Sequence, residues 1–175
     1  MLGTIVGTWQ GRRRLERLPR ITVNATANYY KAFTTPNPDY EAVIHNSSGN
    51  EVGTATYAVS PLFDRVYLFE IETAPGNRRQ GYAIALLWHL AQTYGQPITA
   101  VKELYSANSF WNAARRLKEA GLVVTMPLSV GDMDNEAARW QHLRPDAERL
   151  ERLITERLTV HNEPWHIAVG RGLES

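Results

Sequence analysis

The sequence contains no cysteine. That absence excludes disulfides, thiolate metal sites and a cysteine nucleophile, and it is compatible with a reducing compartment. The sequence also has no apolar run approaching the roughly 18 residues of a membrane-spanning helix, and its apolar start is too short for a signal peptide. We therefore expect a soluble cytoplasmic protein with no membrane contact.

Excess charge of one sign is lacking as well. The 175 residues carry a net charge of +1, which argues against a nucleic-acid binder driven by bulk electrostatics. Hydrophobic residues make up 43%, enough for one domain with a sizeable core. The five histidines do not pair with carboxylates at metal-ligand spacing, so we expect no metal.

Strand signals dominate the first half of the chain. Alternating apolar and polar residues, β-branched side chains and intervening turn residues predict strands at residues 21–29, 40–45, 51–59 and 65–73. The stretch "GRRRLERLPR" before them is interpreted as a solvated basic turn or short helix.

After these strands the sequence shows residue patterns typical of helices. Residues 81–94 are apolar almost all round, which predicts a buried helix ending at Gly95. Residues 97–104 read as a short strand, parallel to strand 65–73 through a right-handed crossover. A second helix is predicted at residues 107–120 with Gly121 at its end, and another strand begins at residue 122.

The last 50 residues or so are less regular. They predict a charged helix at residues 145–158 and a final strand near "PWHIAV". This tail is expected to complete the sheet, cover a substrate cleft or mediate formation of a homodimer.

The mouth of the first helix carries an unusual concentration of charge. "NRRQGYAIA" puts two arginines, a glutamine and a glycine before an apolar helix. A helix N-terminus attracts anions, Gly81 lets a ligand approach the backbone, and Arg78 and Arg79 can hydrogen-bond phosphate oxygens. Positive charge there opposes the helix dipole. The pattern indicates either a pyrophosphate site or a basic first turn on a core helix.

"IETAPGNRRQGYAIALL" resembles motif A of the GNAT acetyltransferase superfamily, whose signature is Arg/Gln-x-x-Gly-x-Gly/Ala after a strand and a proline-containing loop. Arg78, Gly81 and Ala83 match the signature, and Pro75 falls where the family often has proline. The order of elements also fits over residues 40–124. The resemblance implies an α/β fold with a twisted mixed sheet flanked by helices, a variable part at 1–39 and a helix–strand extension at 125–175.

The resemblance also implies acetyl-CoA as acyl donor. Its pyrophosphate would lie on the backbone N–H groups of the helix mouth, with arginine side chains nearby, and its pantetheine arm would run along the preceding strand like an added strand. The donor-binding residues it implies are Ile71, Glu72, Thr73, Arg78, Arg79, Gln80, Gly81, Tyr82 and Ala83, with Asn108 and Asn112 from the next helix. Asn108 alternatively caps that helix.

The catalytic candidates are Glu70, Glu72 and Tyr105. The two glutamates lie two apart on one strand and should share a face, where burial of one beside the other would raise its pKa. Either could be the base, or they could hold a cationic amine or form cross-strand ion pairs; Tyr67 and water are alternative bases. Many family members have a tyrosine four residues before the glycine that closes the second helix, where this chain has Leu117. Tyr105 could replace it as the acid, or it could simply pack.

The prediction is therefore an N-acetyltransferase that transfers acetyl from acetyl-CoA to a primary amine by direct attack in a ternary complex. The alternative is a GNAT-fold module that binds CoA, or other molecules, with little or no catalysis. The acceptor stays open among a protein N-terminus or lysine, a small amine, and aminoacyl-tRNA, which the near-zero net charge disfavours.

Overall fold

The protein was analysed as a computed structural model that describes residues 2–173, with side chains from residue 8 onward. Five strands form one sheet in the order β1-β2-β3-β4-β5. The first four pair antiparallel and β5 joins β4 in parallel, so the sheet is mixed. The strands are β1 (Ile21–Asn28), β2 (Asp39–Asn46), β3 (Glu51–Val59), β4 (Val66–Thr73) and β5 (Ile98–Ala100).

Six α-helices accompany the sheet within the described residues. They are α1 (Leu2–Glu16), α2 (Tyr82–Tyr94), α3 (Asn108–Arg115), α4 (Met133–Ala137), α5 (Arg144–Thr159) and α6 (Trp165–Val169). The mixed α/β class and the element order over residues 40–124 agree with the sequence prediction. None of these helices is long and apolar enough to cross a membrane.

The main core lies between one face of the sheet and helices α1, α2 and α3. It contains Leu68 from β4, Leu86 and Leu87 from α2, and Trp111 from α3, each at most 5% exposed. Leu15 anchors α1 in the same core. Gly11 brings α1 close to the short turn Lys118–Ala120, because a Cβ at Gly11 would lie 2.9 Å from that of Ala120. Of the two predictions for the basic stretch, a solvated turn or a short helix, the helix is correct for residues 11–16, which form the end of α1.

Two smaller clusters complete the packing. Buried Tyr67 and Trp140 lie with Phe33 and Phe69 in an aromatic group, which joins β4 to the segment Ala138–Leu143. The hydroxyl of Tyr67 donates to Glu136 Oε1 at 2.5 Å. Leu150, Ile154 and Val169 form the third cluster, between α5 and α6.

Three sequence predictions need correction. The final strand near "PWHIAV" is wrong, because residues Trp165–Val169 form α6 and the extension is helix–helix. The second helix is shorter than predicted and gives way to a 3₁₀ turn before Gly121, which has φ 108°. The strand predicted from residue 122 is reduced to single parallel bridges, Ile98 with Val124 and Val101 with Leu128.

Candidate functional site: a groove along β4 and the mouth of α2

The neighbouring strands β4 and β5 separate after Leu68. Leu68 pairs with Ala100, and the N–H of Val101 donates to the carbonyl of Leu68 at 2.9 Å. The chain then turns away at Lys102, which has φ 58° and donates its N–H to Leu128 instead. β4 continues to Thr73 paired only with β3. The divergence opens a cleft between the second half of β4 and residues 101–107.

This cleft has a volume of about 280 Å³. Leu68, Ile71 and Trp111 give it an apolar lining, whereas Glu70, Glu72 and Lys102 supply the charge. All three charged side chains are exposed. The sequence-based expectation that one glutamate is buried beside the other is therefore wrong.

A β-bulge at Phe69 sets the direction of the two glutamates. Leu68 pairs with Tyr57 but Glu70 pairs with Thr56, so Phe69 is the extra residue on β4. Beyond the bulge the register is regular, and Glu72 pairs with Thr54. Glu70 and Glu72 therefore share a face. Neither carboxylate forms a hydrogen bond or an ion pair with another side chain described here, so the alternative of cross-strand ion pairs is wrong for these residues.

The backbone of β4 offers hydrogen-bonding groups to the cleft. The Glu72 carbonyl points toward β3, since a Cβ on Gly53 would collide with it. The Thr73 carbonyl points the other way and accepts from Arg78 Nε at 3.3 Å. Because successive residues of a strand direct their backbone groups to opposite edges, Ile71 shares the orientation of Thr73. An extended ligand could therefore pair with this edge.

At the mouth of α2 the backbone makes two left-handed turns, at Arg79 with φ 64° and at Gly81 with φ 90°. The first helical hydrogen bond runs from Ala85 N–H to the Gly81 carbonyl, and no side chain caps the helix. Over the described chain, the N–H groups of the first three helical residues, Tyr82 to Ile84, have no acceptor. Three converging donors at the positive end of a helix suit an anion.

A second cavity, also about 280 Å³, lies between this mouth and α3. Its lining residues are Arg14, Thr73, Asn77, Arg79, Gly81, Tyr82, Ala83, Ile84, Ser109, Phe110 and Ala113. None of them is acidic. Residues that are neighbours in the chain line the two cavities: Thr73 follows Glu72, and Phe110 precedes Trp111.

A third cavity of about 500 Å³ lies on the other side of Arg79 and Gly81, against α1. Four arginines line it, Arg13, Arg14, Arg17 and Arg79, together with Trp9, Gln10, Leu18, Pro19, Gln80 and Gly81. The guanidinium carbon of Arg13 lies 3.7 Å from the centroid of the Trp9 ring. Residues 8–173 supply no carboxylate within ion-pair distance of the four guanidinium groups. These arginines were not identified as a site from the sequence. Gln10, Arg13, Arg14 and Arg17 nevertheless recur at the spacing of one helical face (i, i+3, i+4, i+7).

The remaining candidates lie in varied positions. Arg78 folds back onto Thr73 and lines none of the three cavities, whereas Gln80 donates to the Gly76 carbonyl at 3.0 Å. Asn108 is the first residue of α3 and does not cap it; its Oδ1 accepts from Asn112 at 3.2 Å. Both asparagines are exposed and stand outside the three cavity linings.

Two tyrosines differ from expectation. Tyr105 is 94% exposed, so it does not pack, and it does not line the cleft. Tyr67 is fully buried, and burial together with its bond to Glu136 raises the pKa of its hydroxyl, so it does not serve as an alternative base. No group of three potential metal ligands occurs in the part of the chain that the structure describes.

The fold and the groove define a mixed α/β protein in which, among the described residues, the first N–H groups of α2 are unpaired. Comparison with family models and with curated proteins gives no match. Among solved structures, the chain is similar to a nourseothricin acetyltransferase, with 17% identity over 62% of this chain and 76% of that one, and a TM-score of 0.34. An identity and a TM-score this low do not indicate a function.

Proposed function

We propose that the protein transfers an acyl group, most simply acetyl, from an acyl-CoA thioester to a primary amine. The observation that carries this proposal is the order of the three cavities. An apolar cleft with an open strand edge adjoins a helix mouth with free N–H groups, which adjoins an arginine-lined cavity. A CoA thioester has the same order of chemistry, from its acyl group and pantetheine through a diphosphate to a phosphorylated nucleoside.

The diphosphate of the acyl-CoA donor would bind at the mouth of α2. The N–H groups of Tyr82, Ala83 and Ile84 would bind its oxygens, and Arg79 would add charge-assisted hydrogen bonds. The left-handed backbone at Arg79 and Gly81 supports this arrangement because it turns the chain so that these donors converge.

The pantetheine arm would lie in the cleft between β4 and β5. Its amides can pair with the backbone of Ile71 and Thr73 as an added strand would. The thioester would then reach the end of the cleft near Leu68, where the strands join. A strand N–H directed at the thioester oxygen would stabilise the negative charge that develops there during attack.

In the chemical step the amine nitrogen forms a bond to the acyl carbon and the carbon–sulfur bond breaks. An alkylammonium has a pKa of about 10.4, so it must lose a proton before attack and a second one afterwards. Glu70 and Glu72 border the cleft with free carboxylates, which suits them to attract the ammonium and to accept its protons directly or through water. Solvent would protonate the thiolate that leaves, since Tyr105 does not line the cleft.

A second candidate is a module that binds CoA without catalysis. It is favoured by one observation: the ionisable lining of the cleft is confined to Glu70, Glu72 and Lys102, all exposed to water. Buried ionisable groups are common where proton transfer is catalysed, and this cleft has none among its lining residues.

Binding and turnover separate the two candidates. A ligand that binds the native state raises its thermal stability, so acetyl-CoA should raise the melting temperature in proportion to the logarithm of its concentration. Release of free thiol in the presence of a panel of amines then reports transfer. Stabilisation without turnover on any amine would favour the module, and absence of both effects would overturn the donor site.

Ala83 provides a sharp test of where the donor binds. Ala83→Glu adds a negative charge in the first turn of α2, which favours the helix dipole but opposes a diphosphate. We expect acetyl-CoA affinity to fall at least about tenfold, as loss of a charge-assisted contact does. Ala83→Gln, with nearly the same size and no charge, is the matched control. Equal affinity of the two variants in calorimetry would contradict the diphosphate assignment.

A further inference from the structure

The arginine-lined cavity against α1 is larger than a diphosphate at the mouth of α2 needs. We propose that it binds the 3′-phosphate on the ribose of the donor, so that α1 distinguishes CoA from its 3′-dephospho form. This inference rests on the proposed function, since it assigns the far end of the same donor.

Continuity of the cavities is the first argument. Arg14, Arg79 and Gly81 line both the cavity at the mouth of α2 and the cavity against α1. A donor with its diphosphate at the first therefore directs its nucleoside toward the second. The ribose phosphate follows the diphosphate within a few bonds, which places it among the α1 arginines.

Charge is the second argument. Four guanidinium groups line one cavity whose other lining residues include no carboxylate. Like charges brought together in this way oppose one another unless an anion lies among them. A phosphate monoester carries up to two negative charges and three acceptor oxygens, and guanidinium groups bind such oxygens in pairs.

Two of the arginines lie on a helix that is held in place. Buried Leu15 and the close approach of Gly11 to Ala120 fix α1, which carries Arg13 and Arg14, and the Trp9 ring lies against Arg13. Leu18 and Pro19 close one side of the cavity with apolar surface, which strengthens ionic contacts inside it. A concave site with an apolar wall suits a small phosphate better than the extended backbone of an RNA, for which a broad basic face is typical.

The test compares CoA with 3′-dephospho-CoA by isothermal titration calorimetry on the full chain. We expect the wild type to prefer CoA by about 10- to 100-fold, the range given by one or two charge-assisted hydrogen bonds. Arg13→Gln combined with Arg17→Gln should abolish this preference and leave the affinity for dephospho-CoA unchanged. Arg12→Gln combined with Arg20→Gln is the matched control, since both of these arginines are exposed and outside the cavity lining. The control variant should keep the preference.

Each outcome has a distinct meaning. Equal binding of the two ligands by the wild type would overturn the 3′-phosphate assignment while the donor site stands. Binding of neither ligand would overturn the proposed function and this inference together. Loss of preference in the control variant as well would show a general charge effect and overturn the role of Arg13 and Arg17. Equal binding of the two ligands, combined with transfer-RNA binding that depends on Arg13 and Arg17, would assign the cavity to nucleic acid.

Discussion

Gly81 shows how one residue can meet two structural demands. Its φ of 90° is a conformation that residues with a Cβ rarely adopt. A Cβ there would also lie 3.2 Å from Pro19 Cδ, on the side of α1. The sequence-based interpretation, that the missing side chain makes room for a phosphate, stays a prediction beside these two demands. A bulky residue at this position would disturb the backbone first, which makes Ala83 the cleaner position for a test.

Glu70 and Glu72 carry the prediction for the chemical step. The double variant Glu70→Gln with Glu72→Gln should lower kcat by about 100-fold if the carboxylates accept the proton of the amine. The dissociation constant of acetyl-CoA should not change, because the pantetheine arm would pair with the backbone of Ile71 and Thr73 and not with these carboxylates. Glu51→Gln, at the exposed start of β3, serves as control. An unchanged rate and pH profile in the double variant would refute the role of the carboxylates.

Asp39 gives a prediction for stability against pH. Burial raises the pKa of its carboxyl from 3.8 to about 6, and its Oδ1 has no hydrogen-bond partner among the residues described. The folded state thus binds more protons between these two values, and the free energy of unfolding falls as the pH rises through them. At pH 8 Asp39→Asn should be more stable than the wild type by about 1 kcal/mol, less than the full linkage value because the carboxyl is partly exposed.

The measurement for Asp39 is urea unfolding at pH 4 and at pH 8. The stability difference between Asp39→Asn and the wild type should be small at pH 4 and should grow toward pH 8. Glu41→Gln, exposed on the same strand, should show no such growth. A constant difference across the pH range would mean that Asp39 is not the titrating group.

At the level of elements, the sequence predicts those helices and strands whose formation depends mainly on the local pattern of residues. Alternation gave β3 its bounds of Glu51–Val59, and the all-round apolar character of α2 predicted its burial. Residues Trp165–Val169 were mistaken for a strand because a short apolar run has no distinctive period. Tertiary contacts stabilise these residues as a helix: Val169 packs on α5, and its carbonyl accepts a hydrogen bond from the N–H of Tyr29 at 2.8 Å.

The junction of α5 with the end of the chain supports a further prediction. Arg157 is 4% exposed and donates to the carbonyls of Arg171 at 2.9 Å and Gly172 at 3.1 Å. Arg157→Met keeps the unbranched apolar part of the side chain but leaves these carbonyls without their charged donor. We expect a loss of about 2 kcal/mol in the free energy of unfolding by urea. Arg152→Met, exposed on the same helix, should change it by less than about 0.5 kcal/mol; equal losses would contradict the assigned role.

At the scale of the whole molecule, the candidate site was predictable only in part. The strand, loop and helix that form the mouth of α2 are consecutive in the chain, so the sequence shows them together. The arginines of α1 lie more than 60 residues earlier than Arg79 and meet it only because both helices pack on one core. No local pattern in the sequence indicates that these arginines lie close together.

Ligand binding should therefore slow hydrogen exchange in two parts of the chain that are far apart in sequence. Acetyl-CoA bound across the groove would hold α1 against the mouth of α2, which lowers the frequency of local opening in both. Hydrogen exchange followed by mass spectrometry should show slower exchange in residues 8–17 and 82–85 and no change in α5. Protection limited to residues 82–85 would mean that α1 does not contact the donor.

The separation of β4 from β5 has one more consequence, for solubility. Beyond Leu68, β4 presents a row of backbone groups that another extended chain could use as readily as a pantetheine arm. Proteins protect such edges with charged side chains, and Glu70, Glu72 and Lys102 border this one. The residues that we assign to binding an amine substrate would then also prevent copies of the protein from adding strands to one another. This protection matters most when no donor fills the cleft.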